Sequence, residues 1–167
     1  MTAITSFAAL ADQSAQILIL GSMPSLTSLK AQQYYAHPRN SFWPIMASIY
    51  GFDANLNYDF KVQNLMMHHV AVWDVLQSCI RPGSLDSAIL KGSRVVNDVG
   101  LFLQQHPNIK LICFNGTEAE TSFKRFVLNQ LDVNNLKLIR LASTSPANTQ
   151  SFTQKQAAWA AGLAFFK

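Results

Sequence analysis

Seven residues suited to holding a flat polar ring lie close together early in the chain: Tyr35, His37, Pro38, Arg39, Asn40, Phe42 and Trp43, within nine positions. The aromatics offer π-faces for stacking, the Asn40 amide offers donors and an acceptor, and Arg39 offers a permanent cation. These types together suit a planar heterocycle gripped beside a phosphate. Twelve positions before Tyr35, Met23 sits in the small-residue stretch Gly21-Ser22-Met23-Pro24-Ser25, which follows an apolar run over residues 17–20. A buried strand that ends in a tight turn of small residues is where open α/β sheets place their ligands.

Those groups need a scaffold, and the remaining pattern predicts one. Residues 4–11 read as a short lead-in helix, 17–20 as the first strand and 22–40 as mostly loop, held by Pro24 and Pro38. Ser41 reads as a helix N-cap, because Pro44 then falls in the first turn, where its missing N–H does no harm. That helix runs to Tyr50 and stops at Gly51, leaving the Asn40 side chain outside it and unengaged; the alternative is that Asn40 is itself the cap. A helix with loops is expected over 52–67, a second strand over 70–75 and a turn at Pro82 and Gly83. The spacing of Val95, Val96, Val99, Phe102 and Leu103 predicts an amphipathic helix over 93–105. A strand at 110–114 is followed by a Thr117/Glu120 capping box and a helix bearing Phe123 and Phe126. A strand at 136–142 then leads into the loop 143–148. Ser151 and Gln154 form a second capping box, opening a last helix that includes Phe165.

Strands alternating with helices predict a three-layer αβα sandwich around a central, mostly parallel sheet of about four to five strands, in a single domain spanning 1–167. In such a sheet, the loops after the strands at 17–20, 110–114 and 136–142 share one edge. The sequences GSMPS, FNG and STSPAN therefore converge in space, as a binding site requires.

Composition sets the outer limits. The 167 residues are 49% hydrophobic and 13% charged, so the chain is globular and long enough for a sizeable core. A formal charge of +4 and a pI near 9.2 are compatible with a nucleic-acid partner without requiring one. Cys79 and Cys113 show no metal spacing, and Cys113 sits in an apolar run as an ordinary core residue. The four histidines show no zinc-binding pattern, so no metal is expected. The first fifteen residues lack a secretory pattern and no run reaches membrane-spanning length, which points to the cytoplasm.

The motifs GSMPS at 21–25, YYAHPRNSFW at 34–43 and STSPAN at 143–148, with VWDV at 72–75 and FNG at 114–116, resemble the uracil-DNA glycosylase superfamily. Within it, they resemble most the mismatch-specific and the hypoxanthine-DNA glycosylase branches. The resemblance implies a monofunctional DNA glycosylase without cofactor: a deaminated base, hypoxanthine first, is flipped from DNA and its N-glycosidic bond hydrolysed. Some members hold an iron–sulfur cluster on four cysteines, which two cannot supply. The expected partner is DNA containing deaminated bases, and the expected state is a monomer. The rival readings are a mismatch-specific uracil-DNA glycosylase, a damage-binding module without catalysis, and a small-molecule enzyme on the same scaffold.

The resemblance also assigns roles. Asn40 is the expected catalytic residue, positioning water or the sugar of a dissociating, oxocarbenium-like centre. Ser22, Met23, Tyr35, Asn115 and Ser143 are expected at the base. Tyr35 would stack on it, with a plain core tyrosine as the alternative. The Asn115 amide would pair with a base edge, with a turn residue as the alternative. Met23 stands where mismatch-specific members carry an amide, and Ser143 where others carry a histidine or asparagine. His37, Ser145, Ala147 and Asn148 are expected against the DNA. Ala147 takes the place of a bulky wedge. Asp74 is open between roles, Ser84 and Asp86 read as loop groups, and Arg39, Lys124, Arg140 and Lys155 read as surface cations or backbone contacts.

Overall fold

The computed structural model describes residues 2–164. Its centre is a four-stranded, all-parallel sheet built from β2 (Ile17–Gly21), β3 (Val70–Asp74), β6 (Leu111–Asn115) and β7 (Lys137–Leu141) in the order β3-β2-β6-β7. Ile17 lies opposite both Val70 and Leu111, and Leu111 opposite Lys137, so the four strands end at nearly the same level.

Side chains alternate across a strand, and here both faces are covered. Ile17, Ile19, Val72 and Cys113 pack with Phe42, Ile45, Leu65, Trp159 and Leu163 of the helices α2 (Phe42–Tyr50), α3 (Tyr58–Met67) and α6 (Phe152–Leu163). Leu18, Leu20, Ile112 and Phe114 pack on the opposite face with Phe102 and Phe123 of α4 (Val99–Gln105) and α5 (Thr117–Phe126). The expected αβα sandwich is the observed one, and Cys113 is a buried core thiol.

Several local expectations are corrected. Residues 4–11 are extended rather than helical: β1 (Ile4–Thr5) pairs antiparallel with β4 (Leu76–Cys79), and Leu10 bridges Val72. The extended course leaves the Phe7 and Ala8 carbonyls open to the Trp73 indole and the Tyr34 hydroxyl, which a helix would not. With β5 (Val95–Val96) these strands form a second, three-stranded sheet that the sequence did not announce. The helix expected from residue 93 begins at Val99 because the Asp98 carboxylate accepts the Leu101 N–H. The region 22–40 contains a helix, α1 (Leu26–Ala31), capped by the Ser25 hydroxyl on the Ser28 N–H.

Thr117 caps nothing. It is the first residue of α5, Gly116 stands before it at φ 94°, and Glu120 instead pairs with Lys124 and Arg140. The Ser151/Gln154 capping box is present, while Phe165 lies outside the described residues.

Candidate active site

Gly21 ends β2 and Asp74 ends β3, one opposite the other in register. A Cβ at Gly21 would stand 2.5 Å from Asp74 Oδ1 and 3.1 Å from the Tyr35 hydroxyl, so only glycine lets these two groups close over the strand end. The carboxyl is 3% exposed, and its Oδ2 accepts a 2.7 Å hydrogen bond from the Ser6 hydroxyl. Burial, aided by the nearby Asp86, pushes its pKa up to about 7, against smaller opposing effects from Ser6 and Arg81. This shift favours the neutral, hydrogen-bond-donating form of the carboxyl.

Tyr35 reaches this point from a left-handed backbone, φ 56°. One face of its ring lies on Phe42, with centroids 3.9 Å apart and planes 24° from parallel. Its hydroxyl is buried and has no hydrogen-bond partner, although Asn115 and Asp74 are close. Desolvation holds the phenol above the ordinary tyrosine range, so it remains a donor at every physiological pH.

A cavity opens above these groups. It is lined by Asn40 and the expected base contacts Ser22, Met23, Tyr35, Asn115 and Ser143, and also by Ser145, which was expected against the DNA, so the three loops do converge. Their side chains, however, do different work from that expected. Met23 borders the cavity, but its buried side chain packs with Leu76, Cys79 and Ile89. The Ser22 hydroxyl donates to Asp86 at 2.8 Å. The Asn115 amide, expected to read a base edge, is turned onto Thr144: Nδ2 donates to its hydroxyl and Oδ1 accepts its N–H, both at 2.9 Å. The Ser143 hydroxyl accepts the Ser145 N–H, and Asn148 Nδ2 donates to the Ser143 carbonyl at 2.9 Å.

Asn40 stands between the expected alternatives. Its Oδ1 accepts the Phe42 N–H at 3.0 Å, whereas Ser41 makes no side-chain cap bond and takes helical dihedrals. The side chain is therefore engaged by the start of α2, not free. The same bond fixes its rotamer at the cavity wall, where Nδ2 has no partner among the described residues. The Ser41 N–H donates to the Thr144 carbonyl at 3.0 Å, which locks the Asn40 segment to the 143–148 loop.

His37, Ala147 and Asn148 do not line this cavity but adjoining surfaces. His37 lines an adjoining depression with Pro38, Tyr58 and Lys61, which shares Tyr35 and Asn40 with the cavity, and its Nδ1 accepts the Arg39 N–H. Ala147 and Asn148 line a shallow surface beside Gly116 and Arg140. Lys155, read from sequence as a surface cation, is 3% exposed and bonds the Ser145 carbonyl at 3.1 Å; desolvation lowers its pKa.

Sequence reasoning missed three parts of the site. Thr144 is fully buried between Asn115 and Ser41. Asp86, held by Ser22, lines the cavity. The buried Arg81 side chain bonds the carbonyls of Pro24 and Gly83 and pairs with Asp86 at 3.4 Å. Asp74 itself had a signal, a lone acid closing an otherwise apolar strand, VAVWD.

Among the described residues, no group of three or more histidine, cysteine or acidic side chains is placed to hold a metal ion, and no helix is long and apolar enough to cross a membrane.

A solved structure carries the same architecture, and two named relatives are similar in sequence. A solution NMR structure of a protein from Methanosarcina acetivorans, assigned provisionally as a uracil DNA glycosylase, superposes with a TM-score of 0.83 at 30% identity over 99% of each chain. A protein of Methanosarcina barkeri named hypoxanthine DNA glycosylase is 32% identical over 150 residues, covering 89% of this chain and 90% of its own. One of the same name from M. acetivorans is 39% identical over 114 residues, covering 68% of this chain and 71% of its own. The family model of the Uracil DNA glycosylase superfamily matches residues 8–164, which takes in every strand of the parallel sheet and every loop of the cavity, and the chain belongs to that superfamily.

Proposed function

We propose that this chain is a monofunctional DNA glycosylase that draws hypoxanthine out of DNA and hydrolyses its N-glycosidic bond, leaving an abasic site. The observation that carries this reading is the pair of donors meeting at Gly21: the neutral carboxyl of Asp74 and the unpartnered hydroxyl of Tyr35. Both are buried at the cavity floor: Asp74 Oδ2 accepts from Ser6, the Tyr35 hydroxyl has no bond partner among the described residues, and both are placed to donate to an acceptor entering the cavity. Hypoxanthine offers such acceptors in its carbonyl oxygen and ring nitrogens. As the bond to the sugar breaks, electrons flow into the departing base, and fixed donors in a dry site stabilise that charge. The names carried by the Methanosarcina relatives support hypoxanthine over other deaminated bases.

Asn40 is the polar group offered to the sugar side. With Oδ1 held by Phe42, its amide is oriented to steer water to the oxocarbenium-like carbon, though an amide is too weak a base to deprotonate it in advance. Among the described residues no lysine lines the cavity, which supports hydrolysis over attack on the sugar by an amine. The chemistry needs no cofactor.

The test is single-turnover base release from duplexes carrying one hypoxanthine, one uracil or only normal bases. Release of hypoxanthine ahead of uracil, with normal bases untouched, is the expected result. Faster release of uracil would move the reading to a mismatch-type uracil glycosylase, and binding without release would leave a damage-binding module.

A further inference from the structure

A flipped nucleotide leaves a gap in the stack, and proteins that unstack DNA fill such gaps with an apolar wedge. At Ala147, where a wedge is expected, the side chain is a single methyl group, and the 143–148 loop around it is serine, threonine, proline and asparagine.

Large exposed apolar side chains do stand elsewhere. Leu85 is 57% exposed and Leu26 48%. The two segments are tied together, because the Leu26 N–H donates to the Ser84 hydroxyl at 3.0 Å. Both leucines are chain neighbours of residues that line the base cavity: Ser84 and Asp86, on either side of Leu85, line it, and so does Ser25, next to Leu26. Phe152, 48% exposed at the start of α6, has no such place, since neither it nor a chain neighbour lines the cavity.

The Leu85 loop is held stiffly from beneath. The Arg81 guanidinium, with no exposed side-chain surface, reaches the Pro24 and Gly83 carbonyls and Asp86. The Ser22 hydroxyl holds Asp86 from the β2 side, and Ile89 is buried behind the loop. A loop with this many internal bonds has no need to present leucine to water for its own stability. A rigid anchor under an exposed apolar tip is what a wedge requires, since a limp one would fold back when pressed into a stack.

We propose that Leu85, supported by Leu26, is the wedge that enters the base stack of duplex DNA as the damaged nucleotide turns into the cavity, in place of the residue missing at Ala147. This rests on the glycosylase reading above for its substrate, yet it concerns duplex opening and not bond cleavage.

Two readouts test it. The first is the ratio of base-release rates on duplex and on single-stranded DNA carrying the same hypoxanthine. A single strand has no paired stack to hold open, so Leu85→Ala should lower the duplex-to-single-strand ratio by about tenfold, the scale of part of one unstacking step. Leu85→Phe should preserve it. The second is the fluorescence of 2-aminopurine placed beside the damaged base, which rises on unstacking and needs no catalysis. Wild-type protein should raise it, and Leu85→Ala should raise it far less at saturating protein. An unchanged ratio and an unchanged rise in Leu85→Ala overturn the proposal. A protein that raises the fluorescence through Leu85 but releases no base would retain the wedge and refute only the glycosylase reading.

Discussion

Asn115 and Thr144 exchange two hydrogen bonds of 2.9 Å each across the gap between β6 and the loop after β7. This two-way bond makes one wall of the cavity from two segments 29 residues apart. It also turns Asn115 from a reader of bases into a brace. Asn115→Ala should leave the buried Thr144 N–H unsatisfied and cost about 1–3 kcal/mol, seen as a lower melting temperature. Asn115→Asp can still accept both the N–H and the hydroxyl proton of Thr144, so most of the stability should return. If both variants melt like the wild type, the bracing role is wrong.

For Asn40, stability and catalysis separate by substitution. Asn40→Ala removes the acceptor for the Phe42 N–H, an N-terminal bond worth about 0.5–2 kcal/mol, so a melting temperature lower by several degrees is expected. It should also slow single-turnover base release by about a hundredfold or more, the scale of one polar group acting in the transition state. Asn40→Asp keeps the acceptor and should melt normally while retaining part of the rate. Normal base release by Asn40→Ala would leave Asn40 as a capping residue alone.

Asp74 links rate and stability to pH. Its proton is held in the native state up to about pH 7 but is lost from the unfolded chain near the ordinary aspartate value of 3.8. Between these two values the folded protein binds the extra proton, so stability falls as pH rises through this window and levels off above it. Base release by the donating, neutral form should likewise be full well below pH 7, about half lost near it and decline further above it. Asp74→Asn, which donates at all pH values, should flatten both profiles. A wild-type rate that climbs steadily from pH 6 to 8 would contradict the neutral donor. Gly21→Ala, whose new methyl group meets Asp74 Oδ1, should reduce activity at every pH.

Tyr35 carries a buried hydroxyl with no hydrogen-bond partner among the described residues. Tyr35→Phe should therefore fold at least as stably as the wild type, since removing an orphaned polar group lifts a cost of about 1–3 kcal/mol. The same change should weaken capture or release of the base, because one of the two donors at Gly21 is lost. Tyr35→Ala should lose more, since the ring also covers Phe42. Full activity in Tyr35→Phe would confine Tyr35 to stacking and packing.

By itself, the sequence determined the layers of this protein and the address of its site. Apolar runs at 17–20 and 110–114 can only be buried strands, and parallel strands joined by helices must bring the GSMPS, FNG and STSPAN loops to one edge. The helix stop at Gly51 and the Ser151/Gln154 capping box were legible because each depends on residues within a few positions of one another. Tertiary structure alone decided which polar groups face the ligand. Met23 stayed at the cavity border with its side chain in an apolar cluster, Asn115 turned to Thr144, Lys155 went inward to Ser145, and Asn40 was claimed by Phe42. In each case a local pattern predicted a group at the right place, but its partner came from a distant segment or from the chain's own amides. The second sheet was hidden for the same reason, since two-residue strands such as Ile4–Thr5 carry no periodicity and exist only because Leu76–Cys79 lies alongside to complete their hydrogen bonds. Asp74 shows the limit most directly: its residue type is in the sequence, but its proton is held by burial, and burial is a property of the fold.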